Sequence, residues 1–214
     1  MIIIKLIVFI FMLVVFQMLI SHLKTLNFIK ELKKVPIKTK FLIKRIYRLI
    51  NFRRCSHYVW KDLIKFHKAS GWKFGQFEAD KLIECTFEIE ENSFLNFNYL
   101  VNNHSLIFRS IILQNFEEER TNDIMVLASH FNALLNFGVV KVSVKYNYVE
   151  FIYTRDLLTY SLFSGEIRSD TDTHFAITKD CLWSFTKLIE TGDDPVFVFS
   201  ELMRRKENYD STDN

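Results

Sequence analysis

The run CTFEIEENSFLNFNYLVNNHSLIFRSIIL, residues 85–113, decides the fold. Cys85, Phe87 and Ile89 alternate with Thr86, Glu88 and Glu90, so an extended chain here has one apolar side and one wet side. Glu91-Asn92-Ser93 supplies turn chemistry, and Phe94 to Leu100 resumes the extended pattern. Asn102-Asn103-His104 breaks it again before Leu106 to Leu113. Three such runs joined by short polar turns predict an antiparallel meander.

Helical periods flank the meander. Upstream, from His57 to Ser70, Val59, Trp60, Leu63, Ile64 and His67 fall on one face, and Gly71 is placed to end that helix. Downstream, over 117–136, Ile124, Leu127, Ala128, Phe131, Leu134 and Leu135 recur at helical spacing, closed by Asn136-Phe137-Gly138. Val140, Val142 and Val144 begin another strand, Asn147 marks a tight turn, and Val149, Phe151 and Tyr153 answer it. After a polar loop around Ser169–Thr173, a last helix is expected near Thr178 to Glu190, carrying Leu182, Phe185, Leu188 and Ile189. Gly192-Asp193-Asp194-Pro195 reads as a stop, and 196–214 as a polar, disordered tail. The fold class expected is α+β: an α-βββ-α-ββ-α domain over 57–195, with an antiparallel sheet and helices packed on it.

Ahead of this domain lies IIIKLIVFIFMLVVFQMLIS, residues 2–21. At about 1.5 Å rise per residue, about 20 residues cross a hydrocarbon core of roughly 30 Å. Lys5 sits near one end, where its amine can snorkel to the headgroups, and Gln17 carries no charge. A cleaved signal peptide would need a small-residue cleavage site, and only Ser21 is small in the MLISHLKTLNF that follows Gln17. A buried core helix fits poorly, because the run is apolar on every face. Residues 1–23 therefore read as a single transmembrane anchor.

Residues 24–56 read as a basic juxtamembrane helical segment, broken near Pro36. Between Lys24 and Arg54 eleven basic residues face a lone acid, Glu31, for a net charge of +10. Positive residues beside a spanning helix stay in the cytoplasm, so the amino terminus is expected outside and the domain inside. Phe41, Leu42, Ile46, Leu49 and Ile50 recur at helical spacing among lysines and arginines, which predicts a basic amphipathic helix on the membrane surface. Lys33, Lys34, Lys40, Lys44, Arg45 and Arg48 are its expected contacts with anionic lipid, each worth about 1 kcal/mol. The competing reading is a stalk that packs on the domain.

The whole-chain charge of +3 conceals this division. Of the 28 basic and 25 acidic residues, 16 and 24 lie beyond Arg54, so the distal part carries −8, which argues against a nucleic-acid surface there. Cys55, Cys85 and Cys181 are odd in number and widely spaced, as expected of reduced structural thiols. Abundant Phe, Ile, Lys and Asn with scarce Gly and Pro suggest an AT-rich, bacterial genome; the location expected is then the bacterial inner membrane.

No motif carries chemistry. Five glycines at 71, 75, 138, 165 and 192 build no phosphate loop. Cys55-Ser56-His57 falls short of a four-ligand metal site. Cys55 is also a palmitoylation candidate by position. His67 and His130 lie in helical patterns and read as packed side chains. Asp170 and Asp172 lack the spacing of a calcium loop and read as a loop before a helix cap. Glu117, Glu118 and Glu119 read as the acidic first turn of a helix. Trp60, Trp72 and Trp183 are core or the floor of a partner groove, and the sequence leaves both open. No enzyme, cofactor or metal is expected.

The pattern Leu63-Ile-Lys-Phe-His-Lys-Ala-Ser-Gly-Trp72, and Ala128-Ser-His-Phe-Asn132 followed by paired strands, resembles the YbjN-like family within the type III secretion chaperone-like fold, over about 57–191. The resemblance implies protein binding, often as dimers, with no shared catalytic residues to carry over. The function expected is a membrane-anchored, non-enzymatic protein-interaction module, chaperone-like or regulatory, on the cytoplasmic face. Its partners would be membrane lipids, a protein segment and, where the anchors emerge on one side, a second copy. The alternatives are an anionic-lipid-binding surface protein and an enzyme with a dispersed site.

Overall fold

A computed structural model describes residues 54–90, 93–157 and 164–212. In chain order these form α1 (Cys55–Ala69), β1 (Gly75–Phe77), β2 (Leu82–Glu90), β3 (Ser93–Val101), β4 (Ser105–Gln114), α2 (Thr121–Leu134), β5 (Val139–Ser143), β6 (Tyr148–Asp156), α3 (Ser164–Thr191) and α4 (Pro195–Thr212). The expected transmembrane anchor, 1–23, and residues 24–53 of the expected basic segment fall outside the described residues, while Cys55 and Ser56, read as the end of that segment, instead open α1 and are buried. Among the described residues, no helix is long and apolar enough to cross a membrane.

The strands form one six-stranded sheet, ordered β1-β2-β3-β4-β6-β5, with every neighbouring pair antiparallel. The meander read from residues 85–113 is its centre. Register sets the core: Cys85, Phe97, Ser110, Phe151 and Val140 lie in one row across β2, β3, β4, β6 and β5. Ile83, Tyr99, Phe108 and Tyr153 form the next row. All nine are buried. Helices cover this face: α1 packs on β3, α3 on β4 and α2 on β5, while α4 packs on α2 and α3. On the opposite face Ile107, Ile111 and Ile152 are half-buried, and Glu150 is held under Arg109 and Lys141.

Three expectations need correction. The polar stretch Ser169–Thr173 is no loop but lies inside α3. Its apolar periodicity is missing because the residues turned inward are Asp170, Thr171, His174 and Thr178, all buried. The tail 196–214 is not disordered in its described part, since α4 fills Pro195–Thr212 and buries Val198 and Leu202. Gly192, at φ +71°, does end α3. Asp194 and Pro195, however, begin the next helix: the Asp194 carboxylate accepts from the Val196 amide at 2.8 Å, and Pro195 occupies the first helical position, which needs no amide donor. Glu117 to Glu119, finally, sit mostly in a 3₁₀ turn before α2 rather than in its first turn.

Gly138 carries a testable constraint. It turns the chain from α2 into β5 with φ +75°, and a Cβ there would lie 2.7 Å from the Phe151 ring. Gly138→Ala thus combines left-handed strain with overlap at a rigid ring. The expected loss is about 2–4 kcal/mol, measured by thermal unfolding. A loss below about 0.5 kcal/mol would contradict this geometry.

Candidate functional site

The pairing most like a catalytic one is sealed. Ser110 on β4 and His174 on α3 share a hydrogen bond of 2.8 Å between Oγ and Nε2. Phe97, Phe108 and Phe151 stand 5.2, 5.8 and 5.0 Å from the imidazole centre, and both residues are buried. Burial lowers the His174 pKa to about 3, so the ring is neutral. Nδ1 finds no partner in this apolar cage. One turn earlier on α3, Asp170 accepts from the Tyr153 hydroxyl at 3.1 Å and pairs with Arg155 at 2.7 Å. Burial, and then the Asp170 charge, push the Tyr153 hydroxyl up to about 12. These contacts fasten α3 to the sheet.

His67, His130 and the three cysteines singled out in the sequence are packed within the fold. His67 on α1 donates from Nδ1 to the Leu63 carbonyl at 2.8 Å and is ringed by Phe66, Trp72, Phe74 and Tyr99. Its pKa is lowered by burial, against the raising effect of that hydrogen bond. His130 stacks on Phe199 of α4. Cys55 is buried and donates to the Leu157 carbonyl, a position closed to palmitoylation. Burial pushes the Cys85 thiol up to about 12 and raises Cys181, which makes both poor nucleophiles. Among the described residues, no three His, Cys, Asp or Glu side chains are grouped to hold a metal. Lys33, Lys34, Lys40, Lys44, Arg45 and Arg48 lie outside the described residues.

The accessible site is a groove between α3 and α4 at the end of β2, with a volume of about 620 Å³. Ile89, Leu182 and Trp183 supply its apolar surface. Lys179, Lys187, Glu190, Glu201 and Arg205 supply its charge. Trp60 lies in the core, but Trp183 is half-buried with two cations over its ring, Arg205 at 4.3 Å and Lys187 at 5.3 Å from the centroid. Lys187 is also tied to Glu201 across the groove at 2.5 Å. The groove exists because Gly192 and Asp194 fold α4 back along α3, bringing residues 179–191 and 201–205 together. The same two helices expose Ile189, Val196, Phe197 and Met203. Trp183 was legible in the sequence as a core-or-groove residue. Lys179 and Arg205 gave no sequence signal, because they lie on two successive helices and the second of these was expected to be a disordered tail.

The described residues thus define an α+β domain with a six-stranded antiparallel sheet, an aromatic-rich apolar core holding a few buried polar groups, and a partly apolar groove open to solvent. No family model matches the chain, and no curated protein matches it. Among solved structures, the chain is similar to the crystal structure of YbjN, a candidate transcription regulator from E. coli. The identity is 8%, the match covers 61% of this chain and 93% of that one, and the TM-score is 0.46. This is a weak resemblance of fold.

Proposed function

We propose that the chain is a membrane-anchored, non-enzymatic protein-interaction module on the cytoplasmic face, and that the α3–α4 groove is where it holds its partner. One observation carries the reading: Trp183 is held half-open at the groove by Arg205 and Lys187, in a site large enough for partner side chains. Tryptophan and arginine set in desolvated grooves dominate protein interfaces. Exposed Val196, Phe197 and Met203 on α4 extend the apolar surface available to a partner. A non-catalytic role is supported by the sealing of Ser110 and His174 behind phenylalanines, beyond reach of a substrate. Anchoring and orientation rest on residues 2–21 and on the +10 charge that follows them.

The test compares the whole chain with Trp183→Ala in capture from membranes solubilised in mild detergent. Removing a tryptophan anchor is expected to cost at least about 2 kcal/mol, a loss of roughly 30-fold in partner affinity, read at a temperature where both forms are folded because Trp183 also packs against the core. Equal capture of the same stoichiometric partner by both forms would refute the groove as the docking site.

A further inference from the structure

We propose that the α3–α4 groove takes an acidic peptide segment, one that sets a carboxylate on Lys179 and Arg205 and an apolar side chain against Ile89, Leu182 and Trp183; this rests on the interaction reading above. Charge complementarity carries it. Of the three cations that line the groove, Lys187 is neutralised by Glu201. Lys179 and Arg205 have no ion pair among the described residues. Arg205 instead lies over Trp183, which leaves its guanidinium donors free to meet a carboxylate. These unpaired cations belong to a part of the chain whose net charge is −8. An acidic segment is repelled by most of that surface and drawn to this groove, which makes the contact selective.

The groove also discriminates among anions. Glu190 and Glu201 stand on its walls, so a multiply charged phosphate meets repulsion that a single carboxylate largely escapes. The same two carboxylates can accept from the backbone amides of a peptide. A lipid headgroup has no apolar part to set against Ile89, Leu182 and Trp183, whereas a leucine or phenylalanine side chain next to the acid suits them.

The experiment uses the whole chain in detergent micelles and fluorescent ten-residue peptides in which Leu and Phe alternate with Glu, with Gln or with Lys. The Glu peptide is expected to bind at least about tenfold more tightly than the Gln peptide, with an affinity that falls as salt rises. The double variant K179E/R205E is expected to lose that binding by at least about tenfold and to gain the Lys peptide. Should it fail to fold, K179Q/R205Q must show the loss. Equal binding of the Glu and Gln peptides overturns the proposal. So does unchanged binding in a folded double variant, or binding of glycerophosphate in place of the Glu peptide. If those results come while partner capture still depends on Trp183, the acidic-segment inference alone fails. If capture ignores Trp183, the interaction reading fails with it.

Discussion

Acidification is expected to strip stability from the domain between pH 6.5 and pH 3, and His174 is expected to account for much of the loss. Its folded pKa is about 3 and its ordinary value 6.5, a depression caused by burial among Phe97, Phe108 and Phe151. The sign follows directly. Above the unfolded value neither state carries the proton, and the full stability is present. Below it the unfolded chain takes up a proton that the folded one refuses, so stability falls as pH falls. The slope approaches about 1.4 kcal/mol per pH unit, which accumulates to about 5 kcal/mol over the window. His67, lowered by burial in its own aromatic cage, adds in the same direction. His174→Gln can keep a polar contact with Ser110 while removing the titration. Its thermal midpoint, followed by tryptophan fluorescence from neutral pH down to about pH 4, should fall less steeply than that of the natural chain. Identical pH profiles for the two would show that the imidazole is not held neutral.

The second large effect concerns the carboxyl-terminal helix. Val198 is fully buried between α4 and the helices beneath it, with Leu202 one turn further on. Val198→Asp forces a carboxylate into that buried contact. The expected cost exceeds about 3 kcal/mol, seen as a lower thermal midpoint and faster proteolysis. A substitution in a solvated tail would change stability by less than about 0.5 kcal/mol. A loss that small would restore the reading of 196–214 as an unstructured end.

The strands were legible because each carries its own signal. Cys85, Phe87 and Ile89 face the core while Thr86 and Glu88 face water, and the alternation survives whatever packs above. The helix around Ile124, Leu127, Ala128 and Phe131 was legible for the same local reason. The first half of α3 was not. Its inward side is Asp170, Thr171, His174 and Thr178, and a polar inward side reads as a loop until its partners are known. Those partners are remote: Ser110 lies 64 residues from His174, and Tyr153 lies 17 from Asp170. The Asp194-Pro195 pair was ambiguous too, since the chemistry that stops one helix also starts another.

The amino-acid sequence by itself determined the class of the domain, the central meander, the separation of a +10 segment from an acidic remainder, and an apolar run of bilayer length. Each is a property of neighbours along the chain. Tertiary structure alone decided the groove. Lys179, Trp183 and Arg205 become one site only when α4 turns back at Gly192 and lies against α3, and no periodicity within either helix encodes that meeting.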